Sequence, residues 1–116
     1  MIPKYRAWDK ETKTMNGMAE IYRNRNQEIE LRPRDGDIIL MQSTGLVDKN
    51  GKEIFEGDIL SSGHYPTKGV VEYRTDLGSW VNCIKSYDYF SYLGSVANHA
   101  EIIGNIYENL GLLEVE

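Results

Sequence analysis

Residues 41–60, MQSTGLVDKNGKEIFEGDIL, constrain the fold more than any other stretch. Three glycines cut it into apolar runs too short for a helix of ordinary length. Ile38–Met41, just upstream and overlapping it, reads as a short apolar strand buried on both faces or nearly so. Asp48-Lys49-Asn50-Gly51 then has the composition of a hairpin turn. Asn-Gly tolerates the positive φ of a two-residue hairpin loop. A type I turn with Gly51 left-handed, making a bulge, is the alternative. Glu53–Phe55 is the return strand, and Glu56-Gly57-Asp58 is a second tight turn that launches Ile59-Leu60. Backbone conformation accounts for these glycines without a ligand.

The same punctuation continues on both sides. Lys4–Trp8 alternates as a first strand, with Tyr5 and Ala7 on one face and Lys4, Arg6 and Trp8 on the other. Asp9–Lys13 is a polar turn. Met15–Tyr22 resumes as a strand, and Gly17 marks a bulge in it. Residues 24–37 are polar and turn-rich, with Ile29 and Leu31 as anchors, and read as a short strand within a mobile excursion. Val70–Tyr73, the turn Thr75–Gly78 and Trp80–Ile84 form another hairpin. Tyr87–Ala97 is the one helical candidate, because Tyr89, Phe90, Leu93, Val96 and Ala97 recur at helical spacing, with Ser86 or Asp88 as its cap. Glu101–Tyr107 is a closing strand in which Gly104 marks a bulge or a close approach. Asn109–Leu113 adds a helical turn whose Leu110, Leu112 and Leu113 cover a barrel end.

These elements predict one domain over residues 1–116, mainly β, with a small SH3-like or barrel-like core of bent hairpins and one short helix; an α+β arrangement is the alternative. A chain of 116 residues, 41% apolar and 27% charged, can bury one core. The longest apolar run is Ile38–Met41, so no span of about 20 apolar residues exists, and no membrane partner is expected. The first ten residues, MIPKYRAWDK, lack an apolar signal core, and the expected location is the cytoplasm.

Reactive chemistry is sparsely signalled. Cys83 is the single cysteine, which fits a reducing compartment; on a strand it shares a face with Val81 as a small core residue, and a nucleophilic role would need an activating group beside it. His64 and His99 are far apart in sequence and have no partner at metal-ligand spacing. Asp48-Lys49-Asn50-Gly51 fails as an EF-hand calcium loop, since glycine stands fourth instead of sixth and Ile59 occupies the twelfth position. No glycine-rich phosphate loop occurs, and Asp35, Asp37, Glu56 and Asp58 each have a turn or strand-end explanation. The expectation is a non-enzyme with no cofactor and no metal.

Charge is uneven. The chain carries −5 overall, with +3 in residues 1–34 and −8 in residues 35–116. Arg23, Arg25, Arg32 and Arg34 form a basic excursion that suits an acidic partner, including an acidic patch on a second copy. Together with eight tyrosines and two tryptophans they also suit a small barrel that binds single-stranded nucleic acid. The acidic remainder, with Glu28 and Glu30 inside the excursion, opposes that alternative. The run Tyr87–Tyr92 is the second candidate surface: Tyr89 and Phe90 are expected in the core, while Tyr87 and Tyr92 are half-exposed for protein contact.

Three segments carry a family resemblance: YRAWDKETKTM near the start, LMQSTGLVDKNGKEIFEGDIL in the middle and EIIGNIYEN near the end. In order and spacing they resemble the signature blocks of YopX-like proteins, and the resemblance spans nearly the whole chain. It implies a phage or prophage source, a host-cytoplasmic location and self-association, with no catalytic or binding residues to carry over. Residues 23–37 and 61–100 lie outside the blocks, where partner specificity would sit. The leading expectation is an accessory protein that binds copies of itself or a host or phage protein.

Overall fold

Asp9 shows how the first strands are joined. In the computed structural model, which describes residues 4–20, 22–23, 29–30, 38–62, 68–84 and 89–113, the Asp9 Oδ1 atom accepts the Glu11 and Thr12 backbone N–H groups at 2.9 and 3.3 Å. The Lys13 N–H reaches the Asp9 carbonyl at 2.8 Å. This side-chain-stabilised turn, the one expected at Asp9–Lys13, connects β1 (Lys4–Asp9) to β2 (Thr14–Glu20). Their antiparallel register sets Arg6 opposite Met18 and Ala7 opposite Asn16, so Gly17 is the extra residue of a bulge, as its glycine suggests. Beyond it, β3 (Tyr22–Arg23) pairs with β4 (Ile29–Glu30).

The chain divides into two compact units, Met1–Ser43 and Thr44–Glu116. The boundary falls inside β5 (Ile38–Val47). In the first unit, Ile38–Gln42 pairs antiparallel with β1, which places Trp8 between Met15 and Ile39. Ala7, Trp8 and Met41 are buried there. The expected strand Ile38–Met41 is thus longer than its apolar run and less enclosed: it continues to Val47, and Ile38, Ile39 and Leu40 are only partly buried. A ladder needs backbone hydrogen bonds, which polar residues supply as well as apolar ones.

The second unit holds the end of β5, β6 (Glu53–Phe55), β7 (Asp58–Ser62), β8 (Lys68–Arg74), β9 (Ser79–Ile84), β10 (Tyr89–Tyr92), α1 (Leu93–Val96), a 3-10 turn at Ala97–His99, β11 (Ala100–Asn105) and a 3-10 turn at Leu110–Leu113. Five strands form one antiparallel sheet in the order β10-β9-β8-β7-β11. Its core gathers Ile54, Leu60, Val71, Leu93, Ala97 and Ala100, with Leu46, Trp80, Val96 and Ile102 packed against them. Ile54, Leu60 and Leu93 are at most 1% exposed, and each such side chain contributes roughly 1.5–3 kcal/mol on leaving water. The fold class is the expected one: mainly β, with curled sheets of bent hairpins and, among the described residues, one four-residue α-helix, in keeping with a small barrel-like core.

The turn at Asp48–Gly51 takes the bulged form. Gly51 has φ +81°, whereas Asn50 is not among the residues with positive φ. A two-residue type I′ loop would need both. The Gly51 N–H bonds the Asp48 carbonyl at 3.0 Å, and the Asp48 N–H closes the hairpin on the Lys52 carbonyl at 2.8 Å.

Three expectations are corrected. Tyr87–Ala97 is not one helix: Tyr89–Tyr92 is β10, paired with Val81–Ile84, and only Leu93–Val96 is helical. Ser86 and Asp88, the expected caps, lie outside the described residues; Tyr92 stands at the N-cap and makes no side-chain cap bond. Aromatic residues favour strands, and the open side of β9 offered Tyr89–Tyr92 a full ladder, which outweighed the helical spacing of their side chains. Tyr89, expected in the core, is 58% exposed. At the C-terminal end, β11 stops at Asn105, whose Oδ1 accepts the Tyr107 and Glu108 N–H groups at 3.0 and 2.9 Å, and Leu110 is exposed instead of covering a core. The bulge and the close approach expected at Gly104 both occur: Ile103 is the extra residue opposite β7, and a Cβ at Gly104 would meet the Asn109 side chain at 2.6 Å.

Candidate functional site

The β8–β9 hairpin positions the principal candidate surface. Its turn, Thr75–Gly78, closes with the Leu77 N–H on the Arg74 carbonyl at 3.1 Å. That brings Asp76 back beside Arg74. The guanidinium donates two bonds to the carboxylate, Nε to Oδ1 at 2.8 Å and Nη2 to Oδ2 at 2.6 Å. A planar fork on a carboxylate is rigid, so both side chains are oriented. The hydrogen bond from Arg74 holds the Asp76 carboxyl below its ordinary value, and the same bond raises Arg74 above its own.

The ladder then brings Phe90 under this pair. Phe90 stands opposite Cys83, which stands opposite Val70, and Tyr92 stands opposite Val81, which faces Glu72. Directly opposed residues share a sheet face, so Glu72, Arg74, Phe90 and Tyr92 lie on one side. The Arg74 guanidinium carbon is 5.0 Å from the Phe90 ring centroid, within the range of a cation–π contact. Phe90 and Tyr92 meet edge to face at 5.9 Å with an interplanar angle of 85°. The result is a chain of oriented groups, Asp76–Arg74–Phe90–Tyr92, ending in a tyrosine that is 50% exposed. On the other face Tyr73 is 45% exposed and meets Trp80 edge to face at 5.1 Å.

The Arg74 charge on this surface is met by Asp76, with Glu72 nearby on its own strand. Such a patch suits protein contact, where aromatic residues and arginine are enriched. Among the described residues its guanidinium, that of Arg74, is held by Asp76 and is not left free for a phosphate backbone.

The sheet's two edges differ. At β11 the edge is closed by the Asp48 turn: the Lys49 N–H bonds the Ala100 carbonyl at 2.9 Å, and the Ile102 N–H bonds Asp48 Oδ2 at 3.0 Å. Asp48 Oδ1 meanwhile accepts the Asn50 and Lys52 N–H groups, both at 2.9 Å. Burial by itself would raise the Asp48 carboxyl, but the amides of Ile102, Lys52 and Asn50 outweigh it and hold the group below its ordinary value. Asp48 is therefore a structural clasp. Among the described residues no cluster of three or more His, Cys, Asp or Glu is placed to hold a metal ion. β10, at the opposite end of the sheet, has no further strand beyond it among the described residues.

Of the partner-surface residues singled out by sequence, Tyr92 is described and has its side chain on this surface. Arg23 falls in β3 opposite Ile29. Arg25, Arg32, Arg34, Tyr87 and His64 lie outside the described residues. Cys83 is half-buried in β9 instead of fully enclosed, and His99 is exposed at the end of its 3-10 turn. The Arg74–Asp76 fork was not read from sequence. Its signal was present as an arginine and an aspartate on either side of the first turn residue in Arg74-Thr75-Asp76, but the Phe90 contact depends on β10 being a strand. No helix among the described residues is long and apolar enough to cross a membrane.

Residues 4–114 match the family model described as YopX protein. The chain is similar to the crystal structure of protein EF1440 from Enterococcus faecalis, at 30% identity and a TM-score of 0.59, covering 97% of this chain and 99% of that one. It also shares the fold of protein yopX from Bacillus subtilis, at 21% identity and a TM-score of 0.56, covering 100% and 99%. No curated protein matches.

Proposed function

The chain belongs to the YopX protein family, and from that premise we propose that it is a non-enzymatic binding and assembly module, a phage or prophage accessory protein that acts in the host cytoplasm through protein–protein contacts. Its first partner is a second copy of itself; a host or phage protein is the next candidate. One observation carries the reading: the Arg74–Phe90–Tyr92 surface on β8–β10 is aromatic and oriented, its arginine is paired with Asp76, and it ends on a half-exposed tyrosine. Rigid aromatic side chains supply contact area at small entropic cost.

The test is the mass of the purified protein by light scattering at low micromolar concentration. The reading expects a value at least twice the 13.3 kDa of one chain. A strictly monomeric protein across the concentration series would sink it. Retention of single-stranded oligonucleotides at low salt, weakened by Arg23→Ala and Arg25→Ala, would instead favour the nucleic-acid reading.

A further inference from the structure

Edge strands exposed to water are ordinarily guarded by charge, proline, a bulge or a covering loop. The β11 edge follows this rule, because the Asp48–Lys52 turn lies along it and takes up the Ala100 carbonyl and the Ile102 N–H. At β10, among the described residues, no further strand lies beyond the edge. Its four residues, Tyr89-Phe90-Ser91-Tyr92, carry no charge and no proline, and their register against β9 is continuous, without a bulge.

We propose that β10 pairs antiparallel with β10 of a second copy, with Ser91 on the two-fold axis, so that the two five-stranded sheets become one. This rests on the assembly reading above and names the surface that performs it.

Two arguments select this occupant and this register. The first is charge. Each chain carries −5, so two copies repel except where the seam is uncharged, and β10 is such a seam. A charged peptide gains nothing electrostatically from a neutral strand, whereas a neutral strand is complementary to itself. The second is geometry. Opposed residues in a continuous sheet share a face, so a two-fold pairing must set a residue of β10 opposite itself. Centring on Ser91 places Phe90 opposite the partner's Tyr92, and Tyr92 opposite the partner's Phe90. The edge-to-face pair already made within each strand, at 5.9 Å, is then repeated across the seam. Centring on Phe90 would instead pair Tyr92 with the sequence position of Asp88, a carboxylate, in an aromatic seam.

The experiment combines a charge block with a cross-link. Light scattering over a concentration series is run on the wild type and on Tyr89→Lys/Tyr92→Lys, whose positions are 58% and 50% exposed and therefore tolerate lysine. The expected result is a dimer whose dissociation constant rises at least tenfold in the lysine variant. Ser91→Cys in a Cys83→Ser background is then oxidised with copper phenanthroline. Residues opposed in an antiparallel pair have Cα atoms about 4.5–5.5 Å apart, within disulfide reach, so a covalent dimer forms. If the lysine variant fails to fold by circular dichroism, the cross-link decides. An assembled wild type that the lysines leave undisturbed, with no covalent dimer from the Ser91→Cys variant, overturns the β10 seam and leaves the assembly reading standing. A monomer at every concentration overturns both.

Discussion

The Asp48 carboxylate and the Ile102 amide, 54 residues apart in sequence, are joined by a 3.0 Å hydrogen bond. The other oxygen of the same carboxylate organises the hairpin turn in which it sits. One side chain thus shapes a local turn and fastens it to the edge of a sheet formed much later in the chain.

Asp48→Asn keeps the size of this clasp but removes its charge and turns one acceptor into a donor, which then faces a backbone N–H. A buried donor left without an acceptor costs about 1–3 kcal/mol. Urea unfolding is expected to show a lower midpoint with an unchanged slope. An unaltered midpoint would show that the carboxylate is dispensable.

The same group makes stability depend on acid. Its folded pKa is depressed, so its contribution is present above the unfolded carboxylate value of about 3.9 and is lost as pH falls through the folded value. The gap in stability between wild type and Asp48→Asn should therefore be full at neutral pH and close progressively below about pH 4. Denaturation curves at stepped pH test this, and a gap that stayed constant down to about pH 2 would contradict it.

Gly69 tests close approach. A Cβ there would fall inside the Asn82 amide, whose buried Oδ1 has no partner among the described residues. Gly69→Ala should cost about 1–3 kcal/mol through overpacking. Combining it with Asn82→Ala should cost less than the two single changes together, because the second substitution removes the obstructing amide. Strict additivity in a double-mutant cycle would rule out the contact as the cause.

At Gly51 the cost is conformational. Its φ of +81° leaves a side chain open space but a strained backbone. Gly51→Val should lower stability by about 1–2 kcal/mol, and Gly51→Asn by less, since asparagine tolerates the left-handed region. Thermal midpoints should fall in the order wild type, Asn, Val.

Asp76→Asn separates orientation from stability. The Arg74–Asp76 pair is exposed, and exposed pairs contribute little to folding, so the thermal midpoint should barely move. The Arg74 Nε–H, however, loses its charged acceptor at 2.8 Å, and its exchange with water by NMR should quicken. Unchanged exchange would mean that the fork does not orient the guanidinium over Phe90.

The hairpin corners were legible in the chain because their chemistry is local. Asp9–Lys13, Asp48–Gly51, Glu56–Asp58 and Thr75–Gly78 all turn as their residues suggest, the β2 bulge falls at Gly17, and the β11 bulge falls at Ile103, beside Gly104. A glycine at positive φ, or an aspartate capping the N–H two residues on, needs nothing from the rest of the molecule. Tyr89–Tyr92 was not legible in this way, because its side chains satisfy both a helical and a strand pattern. Only the free side of β9 settled which backbone hydrogen bonds were available. The same holds for Asp48: its turn was written in residues 48–51, but its hold on Ile102 required β11 to arrive beside it, and Arg74 met Phe90 only because β10 joined the sheet. Short-range backbone preference acts within a few residues and can be read in order, whereas contacts between distant segments exist only once the strands have chosen their neighbours.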